Sequence, residues 1–247
     1  MNTTTVTAAS GLRARMQELD MLANNLANSG TGGFKVDREF YSLFSAADND
    51  VEGDASATTM PVIRKQWTDF SQGTMQSTGN PLDLALNGQG FFSVSGPAGA
   101  LYTRNGSFKV SADGALSTMD GHAVTGSGGQ PIQISGQGPI VVAPDGSVTQ
   151  DGQDIGKLNI VDFKDRNALG KVGNNYFVSS RDNPPVPAQN TSVAQGSIEG
   201  SNVAPAESAV RLVGVMRQFE MLQKAIALTT DMDKKSLDEV ARVVPNA

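Results

Sequence analysis

Residues 80–110 read NPLDLALNGQGFFSVSGPAGALYTRNGSFKV. Two apolar runs, Leu82-Asp83-Leu84-Ala85-Leu86 and Phe91-Phe92-Ser93-Val94, flank Asn87-Gly88, and Asn105-Gly106 follows the second. Alternation with a period of two marks a strand with one buried face, and Asn-Gly supplies the positive φ of a tight hairpin turn. The pattern continues downstream. Asp-Gly recurs at 113–114, 120–121, 145–146 and 151–152, and further runs follow at Ile132-Gln133-Ile134, Ile140-Val141-Val142 and Leu158-Asn159-Ile160-Val161. Gly accounts for 27 of the 247 residues, against a usual ~7%, and aromatics for only 6%. The reading is a compact antiparallel β domain over residues 73–202.

Outward from this stretch the period changes. Thr5, Ala9, Leu12, Met16, Leu19, Ala23 and Leu26 step by four and three, the 3.5-residue repeat of a helical seam. Ser29-Gly30-Thr31-Gly32-Gly33 stops that helix near Asn28. At the other end Pro205 suits a first helical turn and Glu207 the positive end of the helix dipole. Leu212, Met216, Phe219, Gln223, Ile226, Thr230, Asp233, Leu237 and Val240 step in the same way, and Val215 and Leu222 widen the stripe. Neither helix buries its seam alone. The expected fold is mainly β with terminal α-helices, the two helices paired like a coiled coil and the β domain between them. Residues 1–35 with 203–247 form the helical domain, and 36–72 an extended connector. The polar, acidic stretch Ala46–Thr59 reads as a mobile loop, and Asp182–Pro187 as a second irregular segment.

Composition closes off many chemistries. The chain has no Cys and a single His, His122, which excludes disulfides, thiolate metal sites and multi-histidine metal centres. Net charge is −6, so no basic surplus is available to neutralise phosphates, and nucleic acid is excluded as a partner. No run approaches the ~20 apolar residues of a membrane span. Met1–Gly11 lacks the basic and apolar regions of a secretory signal, so membrane insertion and cleaved-signal export are not expected. His122 sits in the Asp120-Gly121 turn with no Gly-x-Ser-x-Gly elbow to supply a nucleophile. Gly30-Thr31-Gly32-Gly33-Phe34-Lys35 fails the phosphate-loop pattern, because Phe34 separates Gly33 from Lys35. Asp48–Gly53 opens like a calcium loop, but Thr59 stands where a bidentate Glu is required. No catalytic, cofactor or metal residue is assigned. A glycan hydrolase outside the cytoplasm, with Asp145 and Asp151 as its carboxylates, and a monomeric β-scaffold binding module stand as alternatives to a structural subunit.

Four stretches carry a family resemblance. Asn24-Asn25-Leu26-Ala27-Asn28 with Thr31-x-Gly33-Phe34-Lys35 is similar to the N-terminal motif of the bacterial flagellar rod and hook axial proteins. Glu199-Gly200-Ser201-Asn202-Val203, Glu207 and Arg217-Gln218-Phe219-Glu220-Met221 resemble their C-terminal motif. Asn80–Phe92 and Tyr102–Phe108 resemble their β-domain signatures. The resemblance spans about residues 3–240 with the motifs in order. It implies a structural subunit that leaves the cell unfolded through the flagellar type III export apparatus and stacks helically in the basal-body rod spanning the periplasm. Its implied partners are copies of itself and neighbouring rod and hook axial proteins. The chain is too short for the extra outer domain of hook subunits. The compact stretch Gly129–Phe163 and Arg217-Gln218-Phe219-Glu220 favour a proximal rod position over a distal one.

The residues expected to make subunit contacts are Leu12, Met16, Leu19, Leu26, Leu212, Met216, Phe219 and Ile226 as packing stripes, with Asn24, Asn25, Asn28 and Phe34 at the end of the first helix. For Asn24 and Asn25, hydrogen bonds to a neighbouring subunit and local capping are both open. Asn28 is read as a left-handed cap. Phe34 is read as an anchor in a hydrophobic pocket or as ordinary core.

Overall fold

The computed structural model describes residues 3–46, 58–136, 138–173 and 175–243. It is mainly β, with helix α1 at Thr3–Ala27 and helix α2 at Pro205–Val243. The chain divides into two compact units. One comprises Ala27–Val36 and Thr68–Ala204, the other Met1–Leu26, Asp37–Trp67 and Pro205–Ala247. Residues 27–35, which the sequence reading grouped with the helices, fall in the β unit.

The β unit is built from short antiparallel ladders. Its largest sheet has six strands, in the order Gly170–Val172, Tyr176–Val178, Gly99–Thr103, Phe91–Gly96, Ile160–Asp162 and Val186–Pro187. Pro187 has no N–H to donate to a ladder and lies on the edge, where it does least harm. Successive residues of a strand point to opposite faces, and both faces of this sheet are covered. Phe92, Val94, Leu101 and Tyr176 join a fifteen-residue cluster with Leu84, Leu86, Phe108, Val124, Val148 and Leu158 among its members. Their neighbours Phe91, Tyr102 and Phe177 join Val161 and Phe163 on the other side. There the rings meet edge-on or tilted, with Tyr102 and Phe163 centroids 4.8 Å apart and Phe70 and Phe177 5.2 Å apart, arrangements favoured by the ring quadrupole.

The turn glycines behave as their sequence context dictates, with one exception. Asp151-Gly152 closes the hairpin between Ser147–Gln150 and Gln153–Lys157 with φ of 51° and 78°, the two positive values a two-residue type I′ turn requires. Gly106 is the exception: it is not among the positive-φ residues. A Cβ there would lie 1.5 Å from the Leu84 carbonyl oxygen, while the Leu84 N–H donates to the Gly106 carbonyl at 2.9 Å. Close backbone approach, not turn geometry, requires that glycine. Ile132 and Ile134 are buried in the main cluster without forming a strand; the register there is held by an isolated Ala115–Gln133 bridge. The Asp182–Pro187 stretch contributes the edge strand Val186–Pro187.

In the other unit, the segment read as an extended connector is a two-stranded sheet of Asp37–Ala46 and Thr58–Thr68. The mobile loop read at Ala46–Thr59 falls, from residue 47 to 57, outside the described residues. Helices α1 and α2 meet through Met21, Leu22 and Val215, with Leu19 and Leu212 packed against them. The buried stripes are rotated from the predicted seams. On α1 the buried residues are Ala14, Glu18, Met21, Leu22 and Asn25; Leu12, Leu19 and Leu26 lie on its flank, and Ala9, Met16 and Ala23 are exposed. On α2 the inward line is Ser208, Leu212, Val215, Phe219, Leu222, Ile226 and Thr229, while Met216, Gln223 and Thr230 are exposed. The 3.5-residue step on α2 is kept, with Val215 and Leu222 on the seam in place of Met216 and Gln223. At 3.6 residues per turn Glu18 and Asn25, seven apart, occupy the middle of the α1 stripe. The innermost line of α1 is polar, which a search for apolar repeats passes over.

Candidate functional site

The four motifs of the sequence converge on one buried ion cluster in the β unit. Glu199 ends the short strand Ser197–Glu199, which pairs with Met75–Ser77. Its carboxylate is fully enclosed and receives three donors. Lys35 Nζ donates to Oε1 at 2.5 Å, the Gly73 N–H to the same oxygen at 2.9 Å, and Arg104 Nη1 to Oε2 at 3.1 Å. Lys35 Nζ also donates to the Ser71 carbonyl at 2.6 Å. Arg104 donates to the carbonyls of Leu86 at 3.4 Å and Gly88 at 2.6 Å, and its guanidinium lies 5.7 Å from the Phe91 ring centre. Burial pushes Lys35 and Arg104 below their ordinary values, and the Glu199 carboxylate opposes that push in both.

The surrounding backbone is fitted as tightly. Gly33, at φ 68°, donates its N–H to the Glu199 carbonyl at 2.8 Å, and a Cβ on it would sit 2.3 Å from the Asn105 nitrogen. Asn202 accepts the Val36 N–H at 2.8 Å and donates to the Asp69 carbonyl at 2.8 Å. Lys171 donates to the Lys35 carbonyl at 2.8 Å and stands 4.1 Å over the Phe34 ring. Buried charges with this many partners hold one arrangement, because removing any partner leaves a charge without solvation. The cluster joins residue 35, eight residues past the end of α1, to residue 199, six residues before α2 begins. The one sequence signal near the site is a glycine two residues from a charge, Gly33 before Lys35 and Gly106 after Arg104. That Lys35, Arg104 and Glu199 are buried together has no local signature.

The residues predicted for subunit contact are divided by the structure. Phe34, Asn25 and Asn28 are buried. Asn25 clamps the start of the two-stranded sheet, donating to the Asp37 carbonyl at 2.8 Å and accepting the Asp37 N–H at 3.0 Å. Asn24 is exposed. Asn28 is not left-handed: its carbonyl accepts the Thr31 N–H at 3.1 Å, and the positive φ falls on Gly33. Leu12, Leu19, Leu26, Leu212, Phe219 and Ile226 are half-buried, and Met16 and Met216 are exposed. A second ion network links the elements of the helical unit: Glu18 accepts from Arg15 at 2.5 Å and from Arg211 at 3.2 Å, and Arg211 lies 3.9 Å from Glu39.

The residues weighed for catalysis are occupied otherwise. Asp145 accepts from Lys157 at 3.0 Å and from Ser147, contacts that lower its carboxyl to about 2, and Asp151 is a turn residue. His122 meets the Tyr176 ring edge-on at 5.2 Å. Among the described residues no acidic or histidine cluster has the makings of a metal site, and no helix is long and apolar enough to cross a membrane.

Comparison with known proteins agrees along the chain. Residues 6–35 match the family model "Flagella basal body rod protein", residues 85–153 the "Flagellar hook protein FlgE/F/G D1 domain", and residues 194–239 the "Flagellar basal body rod FlgEFG protein C-terminal". The chain is 32% identical to the flagellar basal-body rod protein FlgF of Caulobacter vibrioides, covering 92% of this chain and 93% of that protein. It is 33% identical to FlgF of Mesorhizobium japonicum, covering 93% and 95%. It is 32% identical to the flagellar basal-body rod protein FlgG of Borreliella burgdorferi, covering 92% and 94%. With three family models matched in chain order and relatives aligned nearly end to end, the chain belongs to the flagellar basal-body rod protein family.

Proposed function

We propose that this protein is a structural subunit of the flagellar basal-body rod, polymerising helically through its terminal helices, which pair like a coiled coil in an inner, channel-lining domain. The observation that carries the reading is a second apolar line on α2. Val210, Met221, Leu228 and Met232 are exposed by 61–75%, and at 3.6 residues per turn they fall on the side away from Val215. Met16 of α1, 53% exposed, adds to the uncovered surface. An isolated soluble helix needs one apolar stripe; this one carries two. The second stripe, together with the flank of Leu12, Leu19 and Leu26, packs against helices of neighbouring copies and of adjoining rod and hook axial subunits. The β unit supplies the outer wall, and the buried cluster around Glu199 holds residues 31–36 against 199–203, between which assembly forces are transmitted.

On this reading the chain catalyses nothing and needs no cofactor, and it reaches the rod through the flagellar type III export apparatus without a cleaved signal. The proximal rod is the preferred position, supported by Arg217-Gln218-Phe219-Glu220 and the compact stretch 129–163. The test replaces Val210 and Leu228 by Asp in the full chain. Self-association followed by sedimentation should be lost while the circular dichroism of the β unit is kept; unchanged association contradicts the proposal. Labelling the protein in isolated basal bodies decides the position, and signal confined to the distal end refutes the proximal assignment.

A further inference from the structure

We infer that Glu18 selects the register in which α1 packs on α2. The apolar contact between the helices is small and built of interchangeable aliphatic side chains: Met21 and Leu22 against Val215, with Leu19 and Leu212 alongside. On α2 the seam repeats every seven residues, with Val215, Leu222 and Thr229 in equivalent places and Leu212, Phe219 and Ile226 in another set. A slide of α1 by one heptad therefore keeps most of the apolar contact. Shape alone does not choose between the two registers.

Charge does. Glu18 lies at the middle of the α1 stripe, with only 3% of its surface exposed, and its Oε1 accepts from Arg211 on α2 at 3.2 Å. The positions one heptad from Arg211 are Gln218 and Ala204, and the next beyond is Ala225. Of these, Arg211 alone is a cation. The equivalents of Glu18 on α1 are Gly11 and Asn25, neither of them an anion. One register in the heptad series therefore places an anion against a cation, and each slipped register buries Glu18 opposite Gln or Ala. Arg15, on the same helix as Glu18, moves with it and carries no register information. Arg211 also lies 3.9 Å from Glu39 of the two-stranded sheet, so the same cation ties that sheet into the chosen register. A polar group buried in a helical seam and paired across it with the facing helix is the best-attested way for such a group to fix register at a cost in stability.

The chain has no Cys, so paired cysteines read the register directly in the full-length protein. Leu22→Cys with Val215→Cys reports the native register, and Leu22→Cys with Leu222→Cys the register slipped by one heptad. A short bis-maleimide applied to dilute protein traps transient as well as lasting pairings, and intrachain products separate from dimers by gel mobility. The native pair should dominate. Glu18→Leu should raise the slipped share by about fivefold or more, the change expected when coupling of about 1 kcal/mol is removed. Glu18→Arg combined with Arg211→Glu should restore the native share. An unchanged slipped share in Glu18→Leu overturns the inference, as does failure of the exchanged pair to restore it. If Glu18→Leu abolishes both products, Arg211→Gln decides, because it leaves α1 intact: a raised slipped share supports the inference and an unchanged one overturns it. None of these outcomes depends on whether the protein assembles into a rod.

Discussion

The β unit and the helical unit bury their side chains on different plans. In the β unit a six-stranded sheet covers both faces with apolar clusters, one of fifteen buried residues and one of five. Its buried charges, among the described residues, are Lys35, Arg104 and Glu199, locked together. In the helical unit a 25-residue and a 39-residue helix meet, among the described residues, through the buried apolar side chains Met21, Leu22 and Val215, and the middle of the α1 stripe is Glu18 and Asn25. Among the described residues these buried side chains, at roughly 1.5–3 kcal/mol each, are thin support for helices of that length, since tertiary packing supplies most helical stability. The β unit is complete in one copy of the chain, whereas the helices carry apolar surface that one copy leaves uncovered. On the proposed function, folding and assembly fall to separate parts of the sequence, which mutation can test.

The largest effect is expected from removing the helices. A chain lacking residues 1–26 and 205–247 should lose all self-association by sedimentation yet unfold cooperatively. If it assembles as well as the full chain, the helices are not the assembly elements. Next in size is Glu199→Ala, which leaves Lys35 and Arg104 buried without their carboxylate. It should cost the β unit about 3–5 kcal/mol in urea unfolding. Glu199→Gln, which keeps the shape and an acceptor, should cost less. A loss below 1 kcal/mol for the Ala variant would show that solvent reaches the cluster.

A smaller effect separates the units by pH. Burial and the Asp120 carboxylate, to which the Tyr176 hydroxyl donates at 2.6 Å, push the Tyr176 phenol up to about 12 from its ordinary 10.0. The unfolded chain gives up that proton near pH 10 while the folded chain keeps it. The Tyr176 contribution is therefore fully present below pH 10 and is lost as pH rises toward 12. Tyr176→Phe should flatten that part of the melting profile of the β unit; an unchanged slope would mean the phenol titrates normally. The smallest effect on the β unit is expected from Leu22→Ala with Val215→Ala. Its unfolding should move by less than about 0.5 kcal/mol, while self-association weakens measurably.

Much of the β unit was legible because its signals are local. Asp151-Gly152 names its turn, and the Phe91-Phe92 pair announces a strand with both faces covered. What escaped was set by distant partners. Gly106 looks like a turn glycine and serves a backbone contact with Leu84. Lys35, Arg104 and Glu199 are far apart in sequence, and nothing near each says that it is buried. The helix seams were found by their period and placed on the wrong angle, because the repeat was anchored on Ala9, Met16 and Ala23 while the buried stripe centres on Glu18 and Asn25, polar residues satisfied by Arg211 and the Asp37 backbone. Hydrophobic periodicity reports that a helix has a preferred face. It does not report which polar residues will find partners there.

On the proposed function the β unit is self-sufficient and the helices await neighbours. Amide hydrogen exchange on dilute protein, verified as monomeric, tests it most directly. Residues 5–28 and 205–240 should exchange within seconds, on the order expected for helices with little tertiary support, while amides across 80–180 remain protected. Strong protection throughout both helices in the monomer would contradict the account.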